Sequence, residues 1–383
     1  MNRREFLRIT AAAGAAASIA PSIAAQETRY SKRATRLVWE SGAIDMLSSL
    51  GMPVEGEGKE SDAETFWLSR PEGFTPRDDV RHADSGIRVF ALGDLVTDYD
   101  VAMIWMAKWN GFIASNSRFL ERVDDTRKLA ERTRTTKIGI MLTLQDSSHF
   151  RTADDVALFF GLGQRVSQLT YNGPNRLGSG AFADADVPLT PFGAEIVKRM
   201  NEVGMAIDLS HCGDRTTLDA LAASRKPVLI THAACRALNP GYPRAKTDEM
   251  IRKMAATGGV MGIPVLRFMI RGTEPVSVED FLDHIDHVAK LVGVEHVGIG
   301  SDESLETEDA MPLEWRRKRL EGADPKYHVH TDAQYRIAIE GIDHPQRTFD
   351  IAEGLVRRGY SDGDIRLILG GNFARALGEI WPA

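Results

Sequence analysis

The stretch from Gly204 to Ala234, GMAIDLSHCGDRTTLDALAASRKPVLITHAA, constrains this chain more than any other. Gly204 to Leu209 alternates and branches as a buried strand does. Asp214 to Ser224 places Leu218, Leu221 and Ala222 at helical spacing, and Pro227 to Ile230 is a second apolar run. Two strands joined by a helical crossover are parallel neighbours with a right-handed connection. Their carboxyl ends therefore share one rim, with His211 after the first strand and His232 after the second. Loops at that end of a parallel sheet hold ligands. Two imidazoles brought together there suit one transition metal, most simply zinc. Locally, two unconnected strand-end histidines satisfied by backbone bonds would read the same way.

The same alternation extends along the chain. Strand-like runs are read at Arg36–Glu40, Ile87–Leu92, Lys137–Leu144, Val166–Thr170, Gly259–Val265, Val297–Gly300 and Ile365–Leu369. Helices are read at 102–114, 117–133, 154–162, 191–203, 248–256, 278–292 and 349–358. About eight strands separated by helices predict an α/β fold of the closed (β/α)8, or TIM barrel, type. At 383 residues, 43% of them hydrophobic, the chain can bury such a core as one domain over 26–383. Segments 51–80 and 303–343 are rich in Gly, Pro or charge and read as insertions.

Residues 1–25 are set apart from the fold. Asn2-Arg3-Arg4-Glu5-Phe6-Leu7-Arg8 has the pattern of a twin-arginine export signal. An alanine-rich run, Ile9 to Ala20, follows, then the small-x-small site Ser22-Ile23-Ala24. The reading is periplasmic, through the export machinery, with an uncleaved anchor as the alternative. A formal net charge of −7 without a basic cluster argues against nucleic acid as a partner. The two cysteines, Cys212 and Cys235, read as small buried residues. A disulfide between neighbouring loops, or Cys212 as a soft ligand, are the alternatives.

Strand ends on the rim supply Asp45, Gln145, Tyr171, His211, His232 and Asp302. A metal-assisted hydrolase needs neutral imidazoles or carboxylates as ligands, an acid or base near the activated water, and a cation where an oxyanion develops. His211 and His232 meet the first need, Asp302 the second and Arg244 the third. Each has a plainer role available: Asp302 as a helix cap, Arg244 in a surface ion pair, Tyr171 as packing over the mouth.

IDLSHCG, VLITHAACRAL, the stretch from Pro243 to Glu249 followed by GGVMGI, and HVGIGSD resemble the membrane (renal) dipeptidase family of zinc peptidases. QLTYNGPNRLGSG and the terminal LILGGNFARAL do as well. The resemblance runs in order from about Arg36 to the end. It implies a (β/α)8 barrel with a binuclear zinc centre that hydrolyses dipeptides and, in some members, β-lactam amides. It also implies that His211 and His232 hold zinc, that Arg244 engages the substrate, and that Asp302 handles the proton. The other zinc site would take a Gly-His-x-Asp at the first strand, where this chain has Gly42-Ala43-Ile44-Asp45. The bridging glutamate falls at Gln145, and the substrate-contacting histidine at Tyr171.

These departures favour one zinc ion over two, held by His211 and His232, with Gln145, Asp302 or water completing the shell and Asp45 as either a residual ligand or a structural acceptor. The expected function is a dipeptidase-like metallohydrolase acting on a dipeptide or similar small amide, with a homodimer as a possible assembly. The alternatives are a one-metal hydrolase of a non-peptide substrate and a non-catalytic periplasmic binding protein.

Overall fold

A computed structural model describes residues 29–50, 67–273, 275–305 and 338–382. Residues 1–25, read above as an export signal, residues 51–66 of the first insertion and residues 306–337 of the second lie outside the described residues. Among the described residues no helix is long and apolar enough to cross a membrane.

Ten strands form one sheet: β1 Ala43–Ser49, β2 Ile87–Asp94, β3 Leu120–Arg122, β4 Ile138–Leu144, β5 Gln164–Gln168, β6 Ala206–Asp208, β7 Leu229–Ile230, β8 Val260–Ile263, β9 Val297–Ile299 and β10 Glu303–Ser304. Their order is β10-β1-β2-β4-β5-β6-β7-β8-β9, with β3 attached to β4, and every ladder is parallel. Helices between successive strands cover the outside, as a parallel sheet buried on both faces requires. The fold is a (β/α)8 barrel. No ladder joins β9 to β1. There the wall closes through Asp302 N–H donating to Leu47 O at 2.9 Å and Ser301 N–H donating to Asp45 Oδ1 at 2.7 Å.

Strand alternation sorts the side chains. Ile44, Met46, Val89, Ala91, Met141, Val166, Ala206, Leu229 and Val260 form one buried cluster with Phe373, Ala376, Leu377 and Ile380 of the helix Asn372–Ile380. That helix plugs the amino ends of the strands: Lys226 Nζ, just before β7, donates to Glu379 O and Ile380 O. The mouth at the carboxyl ends is left for polar groups. Two glycines there are required by close approach. A Cβ on Gly262 or Gly300 would lie 2.0 or 1.9 Å from Thr231 O, so both must be bare for β7 to carry His232 into the mouth.

Three sequence expectations are corrected. Arg36–Glu40 is not a strand but part of the helix Lys32–Ser41, which Ser31 caps through Oγ accepting Ala34 N–H at 3.1 Å. Gly42, at φ +58°, ends it. A five-residue run with three apolar residues at its centre fits strand and helix equally, and the flanking caps decide. The segment 117–133 is not one helix but β3 followed by the helix Thr126–Glu131. Ile365–Leu369 is helical, begun by a Ser361–Asp364 capping box and continued as a π-turn over Leu367–Gly371.

Candidate functional site

The parallel pairing of Asp208 with Leu229 sets the ends of β6 and β7 side by side, and with them His211 and His232. Their Nε2 atoms stand 3.1 Å apart. Nδ1–H of His211 donates to Asn172 Oδ1 at 2.7 Å. Nδ1–H of His232 donates to Thr231 Oγ1 at 2.7 Å, whose own proton goes to Asp208 Oδ2 at 2.8 Å. The other oxygen of Asp208 accepts the backbone N–H groups of Ser210 and Thr231 and the Ser210 hydroxyl. With both Nδ1 atoms protonated, each neutral ring turns a bare Nε2 lone pair toward the other. Two lone pairs at this distance repel unless a cation lies between them. Burial, and next to it the charge of Arg244, holds both imidazoles well below the ordinary histidine pKa. Two nitrogens bonded to one tetrahedral zinc at about 2.0–2.1 Å lie roughly 3.3 Å from each other. The donor set fits one transition-metal ion. Among the described residues, no group of three or more His, Cys, Asp or Glu is gathered as a cage.

Arg244 and Asp302 join the histidines. Arg244 is 4% exposed, so it is a buried cation rather than a surface partner. Its Nη2 donates to His232 O at 3.0 Å, and its Nη1 lies 3.6 Å from Asp302 Oδ2. Its Nε is buried with no protein partner. Asp302 Oδ2 is also 3.9 Å from His232 Nε2. Asp302 heads no helix; instead it holds φ +59°, the one positive φ at a non-glycine residue among the described residues. Such backbone is sustained only where surrounding contacts over-determine it. Tyr171 stacks on His211, ring centroids 4.1 Å apart and planes 22° apart. Its N–H is fixed by Asp146 Oδ2 at 3.0 Å.

Asp45 does not join this group, which corrects its reading as a rim residue. Because Arg36–Glu40 is helical, β1 begins at Ala43 and reaches its carboxyl end only at Ser49. Asp45 faces outward, toward the helix Arg347–Arg357. Its carboxylate accepts Ser301 N–H at 2.7 Å and Ser301 Oγ–H at 2.5 Å, with Arg347 Nη2 at 3.9 Å. A register shift between Asp45 and Ser48 turns Leu47 into the mouth instead. A Cβ on Gly93 would meet Leu47 Cδ1 at 2.4 Å, Thr143 Oγ1 at 2.7 Å and Gln145 Cγ at 3.4 Å. The β1–β4 side of the mouth is therefore lined by an aliphatic chain, a hydroxyl and an amide. Gln145 Nε2 donates to Gly93 O at 2.9 Å, and its Oε1 is buried without a protein partner. These groups do not fit a second zinc.

Cys212 and Cys235 are free and buried. Beneath His211, Lys246 Nζ donates to Cys212 O at 2.8 Å, and burial lowers its pKa to about 8. Asn172, Thr231, Asp208 and Lys246 escaped the sequence reading. Asp208 had a usable signal, since alternation from Ala206 puts a carboxylate inside the barrel. Asn172 meets His211 only through tertiary folding.

Residues 102–315 match the family model described as membrane dipeptidase (peptidase family M19). An uncharacterized dipeptidase of Schizosaccharomyces pombe is 31% identical over 216 residues, 55% of this chain and 50% of that one. Dipeptidase VerJ of Clonostachys rogersoniana is 29% identical over 228 residues, 58% and 50% of the two chains. The chain spans about half the length of the curated relatives it matches. Among solved structures, an amidohydrolase from Pseudomonas aeruginosa superposes with a TM-score of 0.74 at 25% identity, over 91% of this chain and 99% of that one.

Proposed function

The chain belongs to the membrane dipeptidase family, peptidase family M19, and on that premise we propose that it is a one-zinc hydrolase of dipeptides or similar small amides. The observation that carries the reading is the pair of Nε2 atoms 3.1 Å apart, each ring oriented by its own Nδ1 hydrogen bond. His211 and His232 would hold the ion, with solvent completing its shell. Zinc bound there supplies a Lewis acid and lowers the pKa of nearby water toward neutrality. Arg244, with a buried Nε and no protein partner for it, receives the substrate carboxylate or the developing oxyanion. Asp302 takes a proton from the attacking water and returns it to the leaving amine as the C–N bond breaks, giving a carboxylate and an amine. Tyr171 covers His211 and excludes water from that face.

A single ion is favoured because Leu47 and Gln145 line the mouth where further ligands would stand. Elemental analysis of the purified protein tests this: one equivalent of zinc is expected, lost in His211→Ala, with dipeptide hydrolysis lost in parallel. Two tightly held equivalents would overturn the one-ion reading, and none would overturn the metal itself. The proposal includes export to the periplasm, supported by Arg3-Arg4 and the alanine-rich run after them. Replacing both arginines by lysine should leave the protein in the cytoplasm on fractionation; unchanged export would count against it.

A further inference from the structure

Gln168 ends β5 beside Gln145, one residue past the Leu144–Ser167 pair of the β4–β5 ladder. Side chains at such neighbouring positions share a face at roughly 5 Å. Both point into the mouth, Gln168 by alternation from the interior residue Val166 and Gln145 by its contact with the Gly93 position. Each amide is held by its NH2 end. Gln145 Nε2 donates to Gly93 O, and Gln168 Nε2 donates to Gln145 O at 3.2 Å and Thr170 O at 2.9 Å. Flipping either amide would set oxygen against carbonyl oxygen, so the orientations are determined. Both Oε1 atoms are buried and neither has a protein donor, although Gln168 is only 1% exposed. A buried acceptor left without a donor costs about 1–3 kcal/mol. Two of them side by side in a ligand-binding mouth indicate that the donor arrives with the ligand.

We propose that Gln145 and Gln168 form an acceptor pair for the amino group of the substrate, bound as a primary ammonium. The inference rests on the hydrolase reading and supplies its polarity. Arg244 is the cation beside the histidines. A zwitterionic substrate is therefore oriented with its ammonium on the β4–β5 side, its carboxylate toward Arg244, and the scissile amide over the histidine pair. Two neutral amide oxygens bind an ammonium through N–H donation without fixing a multivalent ion there.

Calorimetry on the zinc-loaded full chain tests this with two probes, a phosphinate pseudodipeptide of alanylalanine and its des-amino analogue. The amino probe is expected to bind at least about tenfold more tightly. Gln168→Leu should erase that difference, whereas Gln168→Glu, which keeps the side-chain length, should preserve or widen it. Equal affinity in the wild-type protein would overturn the proposal and leave the two oxygens to a resident water. A difference that survives Gln168→Leu would also overturn it, placing the amine elsewhere. Failure of both probes to bind would instead overturn the hydrolase reading, and this inference with it.

Discussion

At the scale of single residues the site is a set of imidazoles aimed by their neighbours. Asp208 accepts from Thr231, and Thr231 accepts from His232, so the carboxylate sets the histidine tautomer through one hydroxyl. Thr231→Val keeps the shape and breaks that link. The zinc dissociation constant should rise roughly 10–100-fold, measured by chelator competition, and Thr231→Ser should restore much of the affinity. Asp302 carries a second prediction. Asparagine tolerates its left-handed backbone, so Asp302→Asn should leave zinc content and melting temperature unchanged while kcat falls by about 10²–10⁴-fold. Undiminished turnover would remove Asp302 from proton transfer. His211, His232 and Asp302 were legible in the sequence because each follows a strand and strand ends converge in this fold, and Arg244 was legible as the cation in a loop of the same rim. Asn172 was not, since nothing local ties it to a histidine on the next strand.

At the scale of elements, the decisive feature is the closure between β9 and β1. Ser301 and Asp302 bond across it to Asp45 and Leu47, and β10 pairs with the end of β1. Asp45 thus serves the wall of the barrel rather than its mouth. Asp45→Ala would remove the acceptor of the buried Ser301 N–H and the counter-charge 3.9 Å from the buried Arg347, and should cost about 1–3 kcal/mol, read from urea unfolding, with zinc stoichiometry unchanged. Zinc loss without destabilisation would return Asp45 to the ligand shell. The misreading of Asp45 began with Arg36–Glu40. Once that run is a helix capped by Ser31 and ended by Gly42, the first strand moves along the chain and its rim residues change identity. Period alone could not separate the two assignments, since five residues complete little more than one helical turn.

Across the whole molecule, buried histidines outside the site contribute to the response to acid. Burial depresses His149 and His284 to about 4. His149 is enclosed by Phe150 and Phe159, and His284 donates Nε2–H to Ile270 O and accepts Cys235 N–H at Nδ1. In the unfolded chain both take up a proton below about 6.5. Between those values the unfolded state binds more protons than the folded one, so stability falls as pH falls. The loss is on the order of 3 kcal/mol for each histidine by pH 4. The urea midpoint should decline as pH falls below about 6.5. A midpoint unchanged to pH 4.5 would show that these rings are protonated without strain.

The sequence by itself determined the alternating architecture, the pairing of His211 with His232 on one rim and the presence of Arg244 and Asp302 beside them. The architecture and the histidine pair follow from hydrophobic period and the handedness of parallel crossovers; Arg244 and Asp302 came from the chemistry such a site needs and from motifs that resemble the dipeptidase family. Only the tertiary structure decided which residues of β1 face the mouth, that Gln145 and Gln168 stand together with their oxygens unpaired, and that Asp45 belongs to the wall. The physical reason is register. A shift of one residue reverses every side chain on a strand, and here a helix cap and a bulge, rather than the strand's own composition, set where β1 begins and which way Leu47 turns.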